Sequence, residues 1–267
     1  MSVQTLYTAA TGMESLETKL DVIANNLANV NTVGFKKDRV NFEDLFYRNE
    51  VLPGAETQGQ LTPTGIQTGL GARVSSVQSN FGQGAFQLTN GQLDLAIEGN
   101  GFFAVQDVAT GDIYYTRAGN FSLNDQGQIV MGSATTGRPL DPAITIPPDA
   151  KDILIGPDGT VSVRQADDQA LQIQGQIQIA SFQNPDGLLK LGDNLFVDTD
   201  ASSQPVLGIP GQQGLGSIRQ NVLEASNVEP VQELIDLITT QRAFELNSQT
   251  VQAGDQILEL VANLRRF

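Results

Sequence analysis

The sequence predicts an α+β protein in which long N- and C-terminal helices form a coiled-coil or bundle domain, with an all-β domain inserted between them and an extended connector. Three observations predict this class. Apolar residues recur at three-four spacing through the first thirty positions, a second apolar line at seven-residue intervals runs near the C-terminus, and short β-rich runs separated by turn residues fill the middle. The expected domains are 1–33 for the first helix, 34–83 for the connector, 84–225 for the β-rich domain and 226–267 for the second helix.

In the first helix, Leu6, Ala9, Met13, Leu16, Leu20, Ile23, Leu27 and Val30 form one seam. The pattern predicts a helix from about Val3 to about Asn29, roughly 40 Å long at the usual rise per residue. Alone it is marginal in water, so the seam needs a partner surface. Asn25, Asn26 and Asn29 crowd its last turn, and Asn31-Thr32-Val33-Gly34 supplies a stop. Their amides suit either ending the helix or hydrogen-bonding a neighbouring helix.

Periodicity fades from Phe35 to Gln83, where Val40 to Tyr47 has the composition of a helical turn or short strand. The stretch from Pro53 to Gly65 is polar and rich in turn formers, cannot bury a core of its own, and reads as a solvent loop or as an arm ordered by neighbours. The β-rich region then opens with Leu93-Asp94-Leu95-Ala96-Ile97, turns at Gly99-Asn100-Gly101 into Phe102-Phe103-Ala104-Val105, and continues with Ile113 to Thr116. Turns at Asn124 to Gly127, Gly156 to Gly159 and Asn184 to Gly187 separate further strands at Thr160 to Arg164 and Leu171 to Phe182.

The second helix begins near Ser226 to Pro230, where Ser226 and Glu229 fit a capping box and Pro230 suits a first turn. Leu237, Phe244, Val251 and Leu258 recur at sevens, while Gln241, Ser248 and Asp255 dilute the companion line. A bundle with polar contacts fits this better than a two-stranded zipper.

Composition removes several function classes. The chain has 30 acidic against 15 basic residues and no cysteine, histidine or tryptophan. Ser-His and Cys-His nucleophiles, disulfides and nearly every zinc site are therefore excluded. The net charge of -15 argues against nucleic acid, and the small basic cluster Lys36, Lys37 and Arg39 is followed directly by acids. No apolar run is long enough to insert in a membrane, and Met1 to Val30 lacks the features of a cleavable secretory leader. Gly69-Leu70-Gly71 lacks the further glycine and following helix of a phosphate cradle, and the acidic pairs Asp167-Asp168, Asp198 with Asp200, and Asp149 with Asp152 lack calcium-loop spacing. Neither a catalytic residue, a metal site nor a cofactor is expected. Carboxylate chemistry survives these exclusions, so a β-rich carboxylate-dependent hydrolase with helical oligomerisation arms is the competing reading; a secreted adhesin with coiled-coil ends fits less well because no repetitive stalk appears.

Asp21-Val22-Ile23-Ala24-Asn25-Asn26-Leu27-Ala28-Asn29-Val30-Asn31-Thr32-Val33-Gly34-Phe35-Lys36 resembles the N-terminal signature of the bacterial flagellar rod and hook family. Ser226 to Glu229, Gln241 to Glu245 and Asn247-Ser248 resemble that family's C-terminal signature, and Asp94 to Phe103 with Tyr115 to Phe121 resemble its β domain. The resemblance spans nearly the whole chain. It implies a helical homopolymer whose terminal helices line the inner tube of a hollow shaft, with proximal rod proteins below, hook protein above and the P- and L-ring bushing around it. It also implies residence in the basal body across the periplasm, and delivery by the flagellar type III export apparatus without a cleavable signal. The larger proximal rod subunit and a short hook-type protein are alternatives within the family.

The residues implied in self-assembly are Leu6, Met13, Leu16, Leu20, Ile23, Asn25, Asn26, Leu27 and Asn29 on the first helix, and Leu234, Leu237, Gln241, Phe244, Val251 and Leu258 on the second. An insertion at 46–65, with Phe46, Tyr47, Leu52, Pro53, Leu61 and Pro63, resembles a rod-type segment. In the family such a segment lies on neighbouring subunits and stiffens the shaft.

Overall fold

The computed structural model describes residues 3–52, 56–57, 60–61, 64–131, 137–165 and 170–264. They form two compact units. One contains Met1–Ala28, Asp38–Ser79 and Glu229–Phe267, and the other Asn29–Lys37 and Asn80–Val228.

The helix and hairpin unit is built from α1 (Val3–Ala28), α2 (Pro230–Leu264) and the strands between them: β1 (Asp38–Asp44), β2 (Tyr47–Val51), β3 (Glu56–Thr57), β4 (Gln60–Leu61), β5 (Ile66–Gly69) and β6 (Ala72–Ser79). The two helices pack against each other. Leu6 meets Gly254, Gly12 meets Asn247 and Asn26 meets Glu233, so moving forward along α1 moves the contact back along α2. The helices are therefore antiparallel. Pairing joins β1 to β6, β2 to β5 and β3 to β4, all antiparallel, which makes one long hairpin. Its base, β1 and β6, packs on α1.

This hairpin occupies Asp38–Ser79 within the extended connector expected at 34–83. Its strands are legible only as polar text because both faces of β2 and β5 are largely exposed. No period-two apolar alternation exists to announce them, and the backbone ladder holds them together. Pro53 and Pro63 lie outside the described residues.

In the β unit, β7 (Phe86–Leu88), β8 (Leu95–Glu98), β9 (Phe102–Gln106) and β10 (Ile113–Thr116) come first. Then follow β11 (Phe121–Leu123), β12 (Ile129–Met131), β13 (Arg138–Pro139), β14 (Ala150–Ile155), β15 (Thr160–Gln165) and β16 (Leu171–Gln176). The last are β17 (Ile179–Ser181), β18 (Leu189–Gly192), β19 (Leu195–Val197), β20 (Val206–Gly208), β21 (Ser217–Gln220) and β22 (Val222–Glu224). A six-stranded sheet runs in the order β18, β19, β10, β9, β17, β20, beside three-stranded sheets of β11 to β13 and β14 to β16. The late strands return to early ones: β21 pairs with β8 and β22 with β7.

The central strand β9 is apolar at four successive positions because both faces are covered. Phe103 and Val105 enter a core with Leu95, Ile97, Ile177 and Ile179, while Phe102 and Ala104 point the other way into an aromatic group with Tyr115, Phe182 and Phe196. Phe102 meets both Phe182 and Phe196 edge-on at centroid distances of 5.6 and 5.8 Å.

Several boundaries differ from the sequence reading. Leu171 to Phe182 is two strands in different sheets, because the chain bends at Ile177, whose N–H goes to the Gly159 carbonyl. The capping box is not formed: α2 starts at Pro230, and the Ser226 hydroxyl instead accepts the Val228 N–H. Residues 29–37 belong with the β unit, for reasons given by their buried polar partners below.

Candidate self-assembly site

On α1, Leu6 of the expected seam meets Gly254 on α2. Ala9 and Ile23 are buried, and Leu6, Met13, Leu16, Leu20 and Leu27 are half-buried. On α2, Leu237, Phe244 and Val251 are half-buried, but their companions are not Gln241, Ser248 and Asp255. The second line consists of Glu233, Thr240, Asn247 and Gly254, one residue earlier in each heptad. Polar and small residues hold these positions because the helices approach closely there. A side chain added at Gly254 would stand 2.5 Å from Leu6. Gln241, Leu234 and Leu258 face away from this packing and are exposed.

Asn26 resolves the question posed by the asparagines. Its side chain is buried, donates from Nδ2 to the Asp38 carbonyl (2.9 Å) and accepts the Asp38 N–H at Oδ1 (2.9 Å), so it pairs with the first residue of β1 as a strand would. The same Nδ2 reaches Glu233 Oε2 on α2 at 3.4 Å. This is a neighbouring-helix contact, made within the chain. Asn29 instead takes part in a local turn, its Oδ1 accepting the Thr32 hydroxyl, and Asn25 is exposed.

A second apolar row on α2 was missed by following only the seven-residue repeat. Val231, Leu234, Ile235 and Ile238 are 71%, 45%, 50% and 49% exposed, and their i, i+3, i+4, i+7 spacing places them on one face. Leu246 and Leu260 are exposed as well. The signal was present in the sequence as a complete helical quartet.

The hairpin also presents apolar side chains. Phe46 is 87% exposed, and Tyr47, Leu52 and Ile66 are exposed. Leu61 lies in β4. Tyr47 lies over Gly69, its cross-strand partner, where a Cβ would stand 3.4 Å from the ring. Lower on the hairpin the links are polar: the Glu43 carboxylate accepts from Ser75 and Arg73, and these bonds hold its pKa below the usual carboxylate range.

Of the basic cluster read from sequence, Lys36 does not lie on the surface, while Arg39 is exposed. Lys36 is fully buried in the β unit, where Nζ donates to Glu224 Oε1 at 2.6 Å and to the Gly82 carbonyl at 2.8 Å. Arg117 brings Nε to 3.1 Å from Glu224 Oε2 and donates from Nη1 to the carbonyls of Gly99 and Gly101. This Nε–Oε2 approach is a buried ion pair. Burial lowers the pKa of both Lys36 and Arg117, and Glu224 opposes that shift. Among the described residues no group of carboxylates could hold a metal, and no helix is long and apolar enough to cross a membrane.

Three family models match: "Flagella basal body rod protein" over residues 6–36, "Flagellar hook protein FlgE/F/G D1 domain" over 96–163, and "Flagellar basal body rod FlgEFG protein C-terminal" over 219–264. The flagellar basal-body rod protein FlgG of Caulobacter vibrioides is 45% identical over 98% of this chain and 100% of its own length. The chain belongs to the FlgG-type flagellar basal-body rod proteins. FlgG of Bacillus subtilis is 39% identical over 99% of this chain and all of its own, whereas FlgF of Caulobacter vibrioides is 38% identical over 90% and 89%. The fuller FlgG matches favour the distal rod subunit over the larger proximal one. Superposition on the Helicobacter pylori flagellar hook protein FlgE2, 15% identical and covering 71% of this chain and 43% of that one, gives a TM-score of only 0.25. A FlgG-type chain is a structural rod subunit of the flagellar basal body and not an enzyme, which removes the hydrolase reading.

Proposed function

We propose that this FlgG-type chain polymerises helically into the rigid distal segment of the flagellar rod, a hollow shaft that transmits torque from motor to hook and conducts exported subunits. The observation that carries this reading is the exposed quartet Val231, Leu234, Ile235 and Ile238, on a helix whose opposite face is already packed on α1. An exposed apolar row of this kind marks an interaction surface. Leu6, Met13, Leu16, Leu20, Ile23 and Leu27 then hold the helix pair within one chain, while Leu234, Gln241 and Leu258 address neighbouring copies in a coiled bundle.

The hairpin gives the shaft its stiffness in this reading. Phe46, Tyr47 and Leu52 lie on the surface of adjacent subunits and lock them together. Proximal rod proteins stand below this segment, hook protein above and the P- and L-rings around it, and the flagellar type III apparatus delivers the chain across the periplasm without a cleaved signal.

The test is Ile235→Asp combined with Ile238→Asp in the full-length chain. Circular dichroism should be unchanged, while electron microscopy and sedimentation should show no tubular polymer. Normal tubes from the double variant would overturn the reading. Deleting residues 46–65 should leave export intact and give a more flexible rod, and an unchanged rigid rod would refute the locking role.

A further inference from the structure

The β unit ends where it begins. Three stretches far apart in sequence, 34–37, 80–84 and 222–227, meet inside it. Gly34 N–H donates to the Glu224 carbonyl at 2.8 Å, Asn80 N–H to the Lys37 carbonyl at 2.8 Å, and Ala225 N–H to the Ala85 carbonyl at 2.8 Å. Asn227 bridges the other two stretches, its Oδ1 accepting the Lys37 N–H at 2.8 Å and its Nδ2 donating to the carbonyls of Asn80 (2.8 Å) and Gly82 (3.1 Å). At the centre lies the Glu224 carboxylate, with Lys36 and Arg117 on either side and the Gly84 N–H bound to Oε1 at 2.9 Å.

The packing leaves no slack. A Cβ at Gly84 would stand 2.1 Å from the Ala225 carbonyl oxygen, and one at Gly34, which sits at φ +70°, 2.6 Å from the Ala118 nitrogen. The charge arithmetic is equally strict, because two buried cations share a single buried carboxylate. That carboxylate is supplied by the last strand of the unit, after which only five residues precede α2. Carbonyls of Gly82, Gly99 and Gly101 solvate the cations in part but carry no compensating charge.

We propose that these three stretches form a latch that closes the β unit last, with Glu224 as its bolt. The hydrogen-bond ladder of the six-stranded sheet runs through none of the latch residues, which touch the sheet by side chains: Phe81 packs edge-on against Phe102 and Phe196 at 5.4 Å, and Lys190 donates to the Lys36 carbonyl at 3.0 Å. Lys36 and Arg117 are not buried together until Glu224 arrives. A chain that lacks its final strand keeps 34–37 and 80–84 open, so closure reports that the chain has been delivered as far as the start of its second helix. The latch lies wholly within the β unit and does not depend on how copies assemble.

Hydrogen exchange on the full-length monomer, resolved to single amides, tests this. In rising subdenaturing urea the amides of Gly34, Lys37, Asn80, Gly84 and Ala225 should open together, before those of Ala180 and Ala104 in the central sheet. Glu224→Gln should accelerate exchange of the five latch amides on the order of a hundredfold, with the sheet amides unchanged. Adding Lys36→Met to Glu224→Gln should restore part of that protection, since one uncompensated cation has been removed. Latch amides that exchange only together with the sheet in the unaltered chain would overturn the proposal, and that reading stands even if Glu224→Gln fails to fold. Unchanged latch protection in a folded Glu224→Gln chain, or no recovery in the double variant, would equally overturn it.

Discussion

The β unit and α2 spend their large apolar side chains in opposite ways. In the β unit, Phe103, Val105, Ile177 and Ile179 are wholly buried, and even its charged trio is closed off from water. On α2, Val231, Leu234, Ile235 and Ile238 face solvent, while the opposite side carries the half-buried Leu237, Phe244 and Val251 beside Glu233, Thr240 and Asn247. A soluble helix that served only its own chain would have no second apolar row turned to solvent. Under the proposed function, the contrast separates residues that make the subunit from residues that would make the polymer.

Mutations can break this contrast, and the largest effect belongs to the sheet. Phe103→Ala should cost about 3 to 5 kcal/mol in urea unfolding of the full-length monomer, because it empties a site with no exposed edge into which neighbours can relax. A loss below about 1 kcal/mol would mean the core is less closed than described. Next comes Asn26→Leu, which strands the Asp38 N–H and carbonyl and the Glu233 carboxylate in a buried place. About 2 to 3 kcal/mol should be lost, seen as earlier melting of the helix signal with the sheet transition unmoved. Ile235→Asp alone should change monomer stability by no more than about 0.5 kcal/mol, so thermal melts should superpose on the parent even though assembly fails. If the monomer is strongly destabilised, the quartet serves the subunit and the contrast collapses.

The smallest effect is a titration. Burial first, then the nearby Asp198 and Asp141 carboxylates, push the Tyr115 phenol up to about 12. In the unfolded chain it ionises near pH 10, so the stability it contributes is complete below that pH and is lost as pH rises through about 12. Ultraviolet difference spectra should show a tyrosine that ionises near pH 12, and Tyr115→Phe should remove that step.

The first helix was legible to within a residue because its seam and its polar stop agree, and β9 was legible because a four-residue apolar run has nowhere to sit except between two covered faces. The hairpin was not. Tyr47-Arg48-Asn49-Glu50-Val51 and Ile66-Gln67-Thr68-Gly69 carry no burial pattern, so only their partnership reveals them as strands. The candidate site divides in the same manner. The Leu237, Phe244 and Val251 line could be read, while its true companions could not, since Thr240, Asn247 and Gly254 look like dilution until α1 is laid against them. Lys36 misled for a related reason: a lysine beside Lys37 and Arg39 reads as surface charge, and its carboxylate partner lies 188 positions away.

The two-pronged grip of Asn26 on the backbone of Asp38 fixes a rotational phase. A side-chain amide can face that strand from only one angle around the helix, and each added residue turns the helix by about 100°. Inserting one residue between Ile23 and Asn26 would swing Ile23 and everything before it out of the seam, whereas inserting seven would misplace them by only about 20°. The upstream length of the first helix is thus free to drift in evolution, but only in whole heptads, because a single asparagine keeps the angle at which all the preceding turns meet their partner.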